Sequence, residues 1–275
     1  MRNMNQYIEH TPQGSVAAPE LADWALSHGV TSFTTEEVSH LCGVPACQVP
    51  QRLASLRKRS RVISPARGIW VPVPAEYRTW GAPDPLLYID DMMRHLGAGY
   101  LVGWLTAAAR HGASHQAPQT FQVATSRTLR DRELGRSRLQ FYARSYASTA
   151  PCSRRELAKT GARVATPGMT MLMLAADPGF CGGLGNVATV IVELSEENPE
   201  YAGEVLAAAG LFADAAPRRL GRILDEYGEG APEGLRDYCA GLLSQPSYLS
   251  PTAPKEGELD RSWNIVINEE VDPDL

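Results

Sequence analysis

The stretch PVPAEYRTWGAPDP, residues 72–85, constrains the fold of this chain most, because it concentrates Pro72, Pro74, Pro83 and Pro85 in 14 positions. Proline fixes φ and removes a backbone donor, so neither a helix nor a central strand runs through such a segment. At this density it reads as a semi-rigid connection. It divides the 275 residues into a small N-terminal unit, 1–80, and a larger unit, 81–275. That agrees with a length prior of about two domains. No repeat of fixed period is visible.

The small unit carries a sequence of local signals. Residues 19–29, PELADWALSHG, place Leu21, Trp24, Ala25 and Leu26 on one helical face and stop at Gly29. Thr34 with Glu37 three residues on forms a capping box, which starts a second helix that ends at Gly43. A third helix is expected over 46–59, with Pro45 and Pro50 confined to its approach and first turn. A later start, near Val49, fits as well. Val49, Leu53 and Leu56 give it one apolar face. Two β-prone runs, 61–64 and 69–71, flank the turn Pro65-Ala66-Arg67-Gly68. Helix, capped helix, helix and two-stranded hairpin is the order of a winged helix-turn-helix.

Charge is segregated along the same unit. Residues 38–75 contain Arg52, Arg57, Lys58, Arg59, Arg61 and Arg67 and no acid, in a chain of net charge -5. A +6 patch on a helix and its adjoining hairpin is the electrostatic footprint of a duplex DNA reader. Gln48 and Gln51 suit adenine edges, Arg52 suits guanine, and Ser55 lies on the same face. Arg57, Lys58, Arg59, Arg61 and Arg67 suit phosphates. A blander reading exists: cations favour helix C-termini, and winged helices also dock proteins. The segregation continues beyond the patch. Residues 1–163 hold 20 basic and 12 acidic side chains, whereas 164–275 hold 6 and 19, a balance of +8 against -13. A second basic run, 127–163, has ten basic groups against Asp131, Glu133 and Glu156. It extends a DNA track, contacts another polyanion such as an RNA or an acidic protein face, or is a solvated loop and strand face.

The larger unit alternates helical and β-prone segments. Helices are expected over 86–96, 100–111, 167–176, 184–196, 199–209, 217–227 and 232–243, and strands over 120–125 and 139–144. A late strand over 263–267 has the option of returning to the sheet. The fold class is therefore α+β: an N-terminal winged helix-turn-helix plus a larger mixed α/β C-terminal domain.

Catalytic motifs do not assemble. His111 and His115 have zinc-like spacing, but Gly112 follows and no Glu lies between them. Asp90 and Asp91 are adjacent and point apart. The glycines of CGGLG (181–185) precede Asn186 and Val187, with no lysine for a phosphate loop. Cys42, Cys47, Cys152, Cys181 and Cys239 are odd in number and contain no CxxC, which favours reduced thiols over a zinc site. No run of about 18 apolar residues marks a membrane span, and residues 1–10 lack the apolar core of a secretory signal. A cytoplasmic, non-enzymatic protein without metal or cofactor is expected.

The order of motifs then becomes specific. The winged helix ends in RVISPARGIWVPVP. It is followed by YRTWGAPDPLLYIDDMMRHLG, by GYLVGWLTAAARHGASHQAPQTFQVATSRTLRDRELGRSRLQFYAR, by RVATPGMTMLMLAADPGFCGGLGNVATVIVEL and by RSWNIVINEEVDPDL. In these segments, over about residues 20–275, the chain resembles the AbiEi antitoxins of bacterial type IV (abortive-infection) toxin–antitoxin pairs, their actinobacterial branch in particular. The resemblance implies a winged-helix domain joined to an α/β antitoxin domain. It implies repression of the operon through inverted repeats in its promoter, with DNA contacts within residues 44–68. It also implies a nucleotidyltransferase-like toxin, which the family counters without needing a stable complex, and no catalytic residues. Inverted repeats point to two protomers pairing on DNA. The rivals are a winged-helix protein-interaction module and an RNA-binding regulator that uses residues 127–163.

Overall fold

The computed structural model describes residues 8, 10–113, 119–153 and 161–274. His115, Arg154, Arg155, Glu156 and Lys159 lie outside the described residues.

The N-terminal elements follow the expected order: α1 (Leu21–Ser27), β1 (Phe33–Thr34), α2 (Thr35–Cys42), α3 (Val49–Arg52), α4 (Ala54–Lys58), β2 (Val62–Ala66) and β3 (Ile69–Pro72). The predicted capping box starts α2. The Glu37 amide donates to Thr34 Oγ1 at 3.2 Å, and the Thr34 amide donates to Glu37 Oε2 at 2.7 Å. Gly43 closes the helix in the left-handed region, φ 61°. The three strands form a sheet in the order β1-β3-β2. Its β2 strand shifts register between Ile63 and Ala66, and Pro65 sits in that irregularity, where its missing N–H costs no ladder bond. Leu21, Phe33, Val38, Leu41, Val49, Leu53, Leu56, Val62 and Trp70 pack as one small core.

The larger unit is built on a six-stranded mixed sheet in the order β6-β7-β5-β4-β9-β8. Its strands are β4 (Tyr100–Val102), β5 (Thr120–Thr125), β6 (Arg132–Leu134), β7 (Ser137–Ala143), β8 (Cys152–Ser153) and β9 (Val164–Ala165). β5 and β7 run parallel over six residue pairs, from Thr120 opposite Arg138 to Thr125 opposite Ala143. The helices are α5 (Ile89–His95), α6 (Trp104–Arg110), α7 (Pro167–Ala176), α8 (Leu184–Glu197), α9 (Tyr201–Ala208), α10 (Ala215–Tyr227) and α11 (Glu233–Ala240). α7 is buried from Gly168 to Ala175. A helix apolar on every side belongs at the centre, and α6, α8, α9 and α10 pack around it.

Three expectations need correction. Residues 100–102 are not helical: they form β4, a central strand, and the helix starts only at Trp104. A short apolar run does not tell strand from buried helix, and Gly103 separates the two here. The polar stretch 126–138 contains a strand, β6, which pairs antiparallel with β7. The late strand, β12 (Ile265–Ile267), does not return to the main sheet. It pairs with β10 (Ser247–Tyr248) and β11 (Glu258–Asp260) in a separate three-stranded sheet. Trp263 precedes that strand and is buried against Gly221 of α10, where a Cβ would come within 2.2 Å of the ring. Its Nε1 donates to Asp225 Oδ2 at 2.8 Å.

The proline-rich segment is packed rather than loose. Val73, Ala82, Pro83 and Pro85 are all buried. The hairpin ahead of it also serves two cores. In β3, Trp70 enters the small core, while Ile69 and Val71 enter the large one with Ala66, Leu86, Met92 and Leu101. Alternate residues of a strand face opposite sides, so one strand joins both cores.

This sharing has a thermodynamic consequence. Ile69→Ala is expected to cost about 2–5 kcal/mol. Scanning calorimetry is expected to give one cooperative endotherm in wild type and one, shifted downward, in the variant. Two separated endotherms in wild type would contradict a common core strand.

Candidate nucleic-acid interface

The third helical element is a rod of three short pieces: a single 3-10 turn, Ala46–Gln48, then α3 and α4. Pro50 sits in the first turn of α3, where an N–H has no helical partner. The turn at Leu53, φ -88° and ψ 0°, does not sever the ladder. The Leu53 amide donates to the Val49 carbonyl and the Arg57 amide to the Leu53 carbonyl, each at 3.0 Å. Val49, Leu53 and Leu56 face inward and are buried. Gln48, Gln51, Arg52, Ser55, Arg57, Lys58 and Arg59 are all exposed. Arg52 Nη2 lies 3.5 Å from Gln48 Oε1, one turn away.

The rod ends in a Schellman arrangement. The Arg61 amide donates to the Leu56 carbonyl at 2.8 Å, and the Ser60 amide to the Arg57 carbonyl at 3.0 Å. Ser60 occupies the left-handed position, φ 51°, that glycine usually fills. The chain then turns into β2. Arg61 is folded back into an ion pair with Asp23 of α1, and its side chain is 23% exposed. Of the nine residues singled out by sequence, it is the one whose charge is already matched. Arg67 is exposed at the hairpin turn.

That turn is pinned. The Arg67 carbonyl accepts from His95 Nε2 at 3.0 Å, and the Gly68 carbonyl accepts the Thr35 amide at 2.9 Å. Trp70 Nε1 donates to Thr35 Oγ1 at 3.1 Å. Gly68 has φ 88°, and a Cβ there would fall 2.9 Å from His95 Nε2. The hairpin is therefore clamped between the start of α2 and the end of α5.

The second basic run divides. Arg127, Arg130, Arg136 and Arg138 are exposed and Arg132 is half-buried. Arg144 instead pairs with Asp177 at 2.8 Å, and Arg163 donates to the Tyr100 and Ala150 carbonyls. Sequence reasoning missed Trp80, which is 56% exposed and lies under the Arg136 guanidinium at 5.8 Å. A tryptophan inside a proline-rich segment gave no periodic signal.

The residues weighed for catalysis have structural duties. His111 caps α6, and its Nε2 donates to the Ala165 carbonyl at 2.7 Å. Asp90 and Asp91 both pair with Arg94. Gly185 admits the C-terminal segment, since a Cβ there would lie 2.6 Å from the Asp272 carbonyl oxygen. All five cysteines are free. Burial holds the Cys181 thiol well above its usual range and pushes Cys239 up to about 11, so both are protonated near neutrality. Among the described residues, no three His, Cys, Asp or Glu side chains gather as a metal site, and no helix is long and apolar enough to cross a membrane.

The structure thus sets an outward basic helix and hairpin on a mixed α/β body. Residues 100–226 match the family model described as the AbiEi antitoxin C-terminal domain. Over those residues the chain therefore carries a domain of the AbiEi antitoxin C-terminal kind. Among solved structures, it is similar to the RV2827C protein from Mycobacterium tuberculosis, with TM-score 0.65 and 17% identity, over 93% of this chain and 94% of that one. At that identity the likeness concerns the fold. No curated protein matches.

The cap at Ser60 offers a local test. A left-handed non-glycine residue costs roughly 1–2 kcal/mol, partly offset by the freedom glycine has when unfolded. Ser60→Gly is expected to stabilise the chain by about 1 kcal/mol, raising the melting midpoint by roughly 2 °C. A lowered midpoint would disprove the cap geometry.

Proposed function

We propose that this chain is the antitoxin of a type IV toxin–antitoxin pair, of the actinobacterial kind, and that it represses its own operon by binding inverted repeats in the promoter. One observation carries this reading. An exposed row of Gln48, Gln51, Arg52, Ser55, Arg57, Lys58 and Arg59 stands on a helix whose other face is sealed in a core, beside a wing tip bearing Arg67. An α-helix fits the major groove, amides and guanidinium groups read base edges there, and flanking cations take phosphates.

The roles follow from position. Gln48, Gln51, Arg52 and Ser55 reach base edges. Arg57, Lys58, Arg59 and Arg67 sit on the backbone. Arg61, matched by Asp23, orders the helix-to-wing corner more than it adds charge to the interface. Two protomers occupy two half-sites and pair on DNA. The α/β domain counters a nucleotidyltransferase-like toxin without a lasting complex. The protein acts in the cytoplasm, away from membranes, and uses neither catalysis nor a cofactor.

A mobility-shift titration with the intergenic DNA upstream of its gene separates this reading from a protein-docking winged helix or an RNA-binding regulator. The first binds that duplex and the other two do not. Each phosphate contact contributes close to one unit of salt slope. Arg57→Ala and Arg67→Ala are each expected to lower the slope by about one, for operator and unrelated duplex alike. Arg61→Ala is expected to leave the slope nearly intact and to lower the melting midpoint. Arg52→Ala is expected to lose about 1–3 kcal/mol of discrimination at one base pair. Wild-type slopes in both Arg57→Ala and Arg67→Ala would remove the helix end and the wing from the interface.

A further inference from the structure

We propose that the β6–β7 hairpin, with the loop that enters it, is a second duplex-contact surface, gripping phosphates that flank the half-site read by α3 and α4. The proposal rests on the DNA-binding reading above. Residues 127–138 carry Arg127, Arg130, Arg132, Arg136 and Arg138 against Asp131 and Glu133. Asp131 is turned onto the sheet, where its Oδ1 accepts the Phe141 amide at 3.1 Å. Among the described residues, none of these five arginines has a carboxylate partner.

The contrast with the rest of the larger unit gives this weight. Arg94 pairs with Asp90 and Asp91, Arg110 with Asp84, Arg144 with Asp177, Arg222 with Glu226 and Asp260, and Arg236 with Asp225. Arg163, Arg218 and Arg219 bond backbone carbonyls. Among the described residues of the larger unit, Lys255, which lies over the Tyr248 ring, and Arg261 are the other cations without an ion pair, both in the acidic C-terminal part. Unmatched guanidinium groups therefore gather at one hairpin, beside the equally unmatched and exposed Arg78.

The hairpin is also rigidly mounted on the wing. Its turn presses into the proline-rich segment: the Arg136 amide donates to the Trp80 carbonyl at 2.8 Å, and a Cβ on Gly135 would lie 2.2 Å from that oxygen. β6 lies against β2. Arg127 donates to the Leu96 carbonyl at 2.7 Å, one residue from the His95 that holds the wing tip. Trp80 supports Arg136 across its ring, which makes it a prop for a cation rather than an open platform for a base. Guanidinium forks held in place match phosphate oxygens and lose little freedom on binding.

The test uses the full chain and two duplexes from the region upstream of its gene. One is trimmed to the inverted repeats and the other extended by ~10 bp, one helical turn, at each end. Fluorescence anisotropy over a salt series gives the slope for each. For Arg130→Gln/Arg136→Gln/Arg138→Gln, the slope is expected to fall by about three on the long duplex and to hold on the short one. Lysine at the same three positions restores it. Arg57→Gln/Lys58→Gln lowers the slope on both by about two. Gly135→Ala, which drives the turn off Trp80 without altering charge, reproduces the selective loss. An unchanged slope on the long duplex, or equal loss on both, overturns the flanking contact while leaving the helix-and-wing reading intact. Absence of wild-type binding to either duplex defeats the underlying DNA reading instead.

Discussion

Strand β3 is buried on both faces, and the rest of the structure depends on it. Trp70 points into the small core, and Ile69 and Val71 point into the large one. A hairpin wing attached only to its own three helices would be free to tilt. Here a change in its attitude would pull apolar side chains out of the α/β body, at roughly 1.5–3 kcal/mol for each large one exposed. His95 and Thr35 then fix the tip by hydrogen bonds from opposite sides. The helix that carries the polar row is held to the same strand through Val49, Leu53, Leu56 and Val62. The orientation of the basic face relative to the antitoxin domain is thus set by core packing rather than by a tether.

Much of the small unit was legible because its signals are local. A capping box, a left-handed glycine and an apolar spacing of four and three each involve residues within a turn of one another. The nine candidate residues could be named for the same reason, and eight of them stand in solvent. What sequence did not disclose was tertiary. Arg61 looks like any other cation in the run until α1 brings Asp23 beside it, 38 positions away. The proline segment looks like a linker because proline breaks ladders. Nothing in its composition says that Val73 and Ala82 will be covered. In the larger unit, β4 was hidden by its continuity with α6. Its apolar residues merge with those of the helix, and only Gly103 and the positive φ of Trp104 mark the break. β6 was hidden by its charge, since a strand at the sheet edge needs little burial.

Ion pairing explains how one acidic chain presents a basic face. An exposed pair contributes little to stability, about 0–1 kcal/mol, but it cancels the field of both partners. Among the described residues of the larger unit outside the β6–β7 hairpin and its entering loop, every arginine but Arg261 is cancelled in this way or satisfied by carbonyls. At the helix, the wing tip and the β6–β7 hairpin the cancellation is withheld. The feature that matters is therefore where acids are absent, more than where arginines are frequent. Residues 38–75 have none, and in 127–138 one of two is bonded to the backbone of β7.

The 19 acids after residue 163 complete that logic. With screening over ~8 Å at physiological ionic strength, a remote acidic region would not weaken the phosphate contacts proposed for the basic face. It does repel a polyanion that approaches from the wrong side, where only 6 cations stand against those acids. On the proposed reading, this asymmetry favours productive encounter over adhesion by orientation. A uniformly basic chain would bind more DNA with less regard to register. Restricting uncancelled charge to elements clamped on one strand couples attraction to geometry: on the proposed DNA-binding reading, a duplex held by its phosphates already has the polar row of the third helix aligned with its groove.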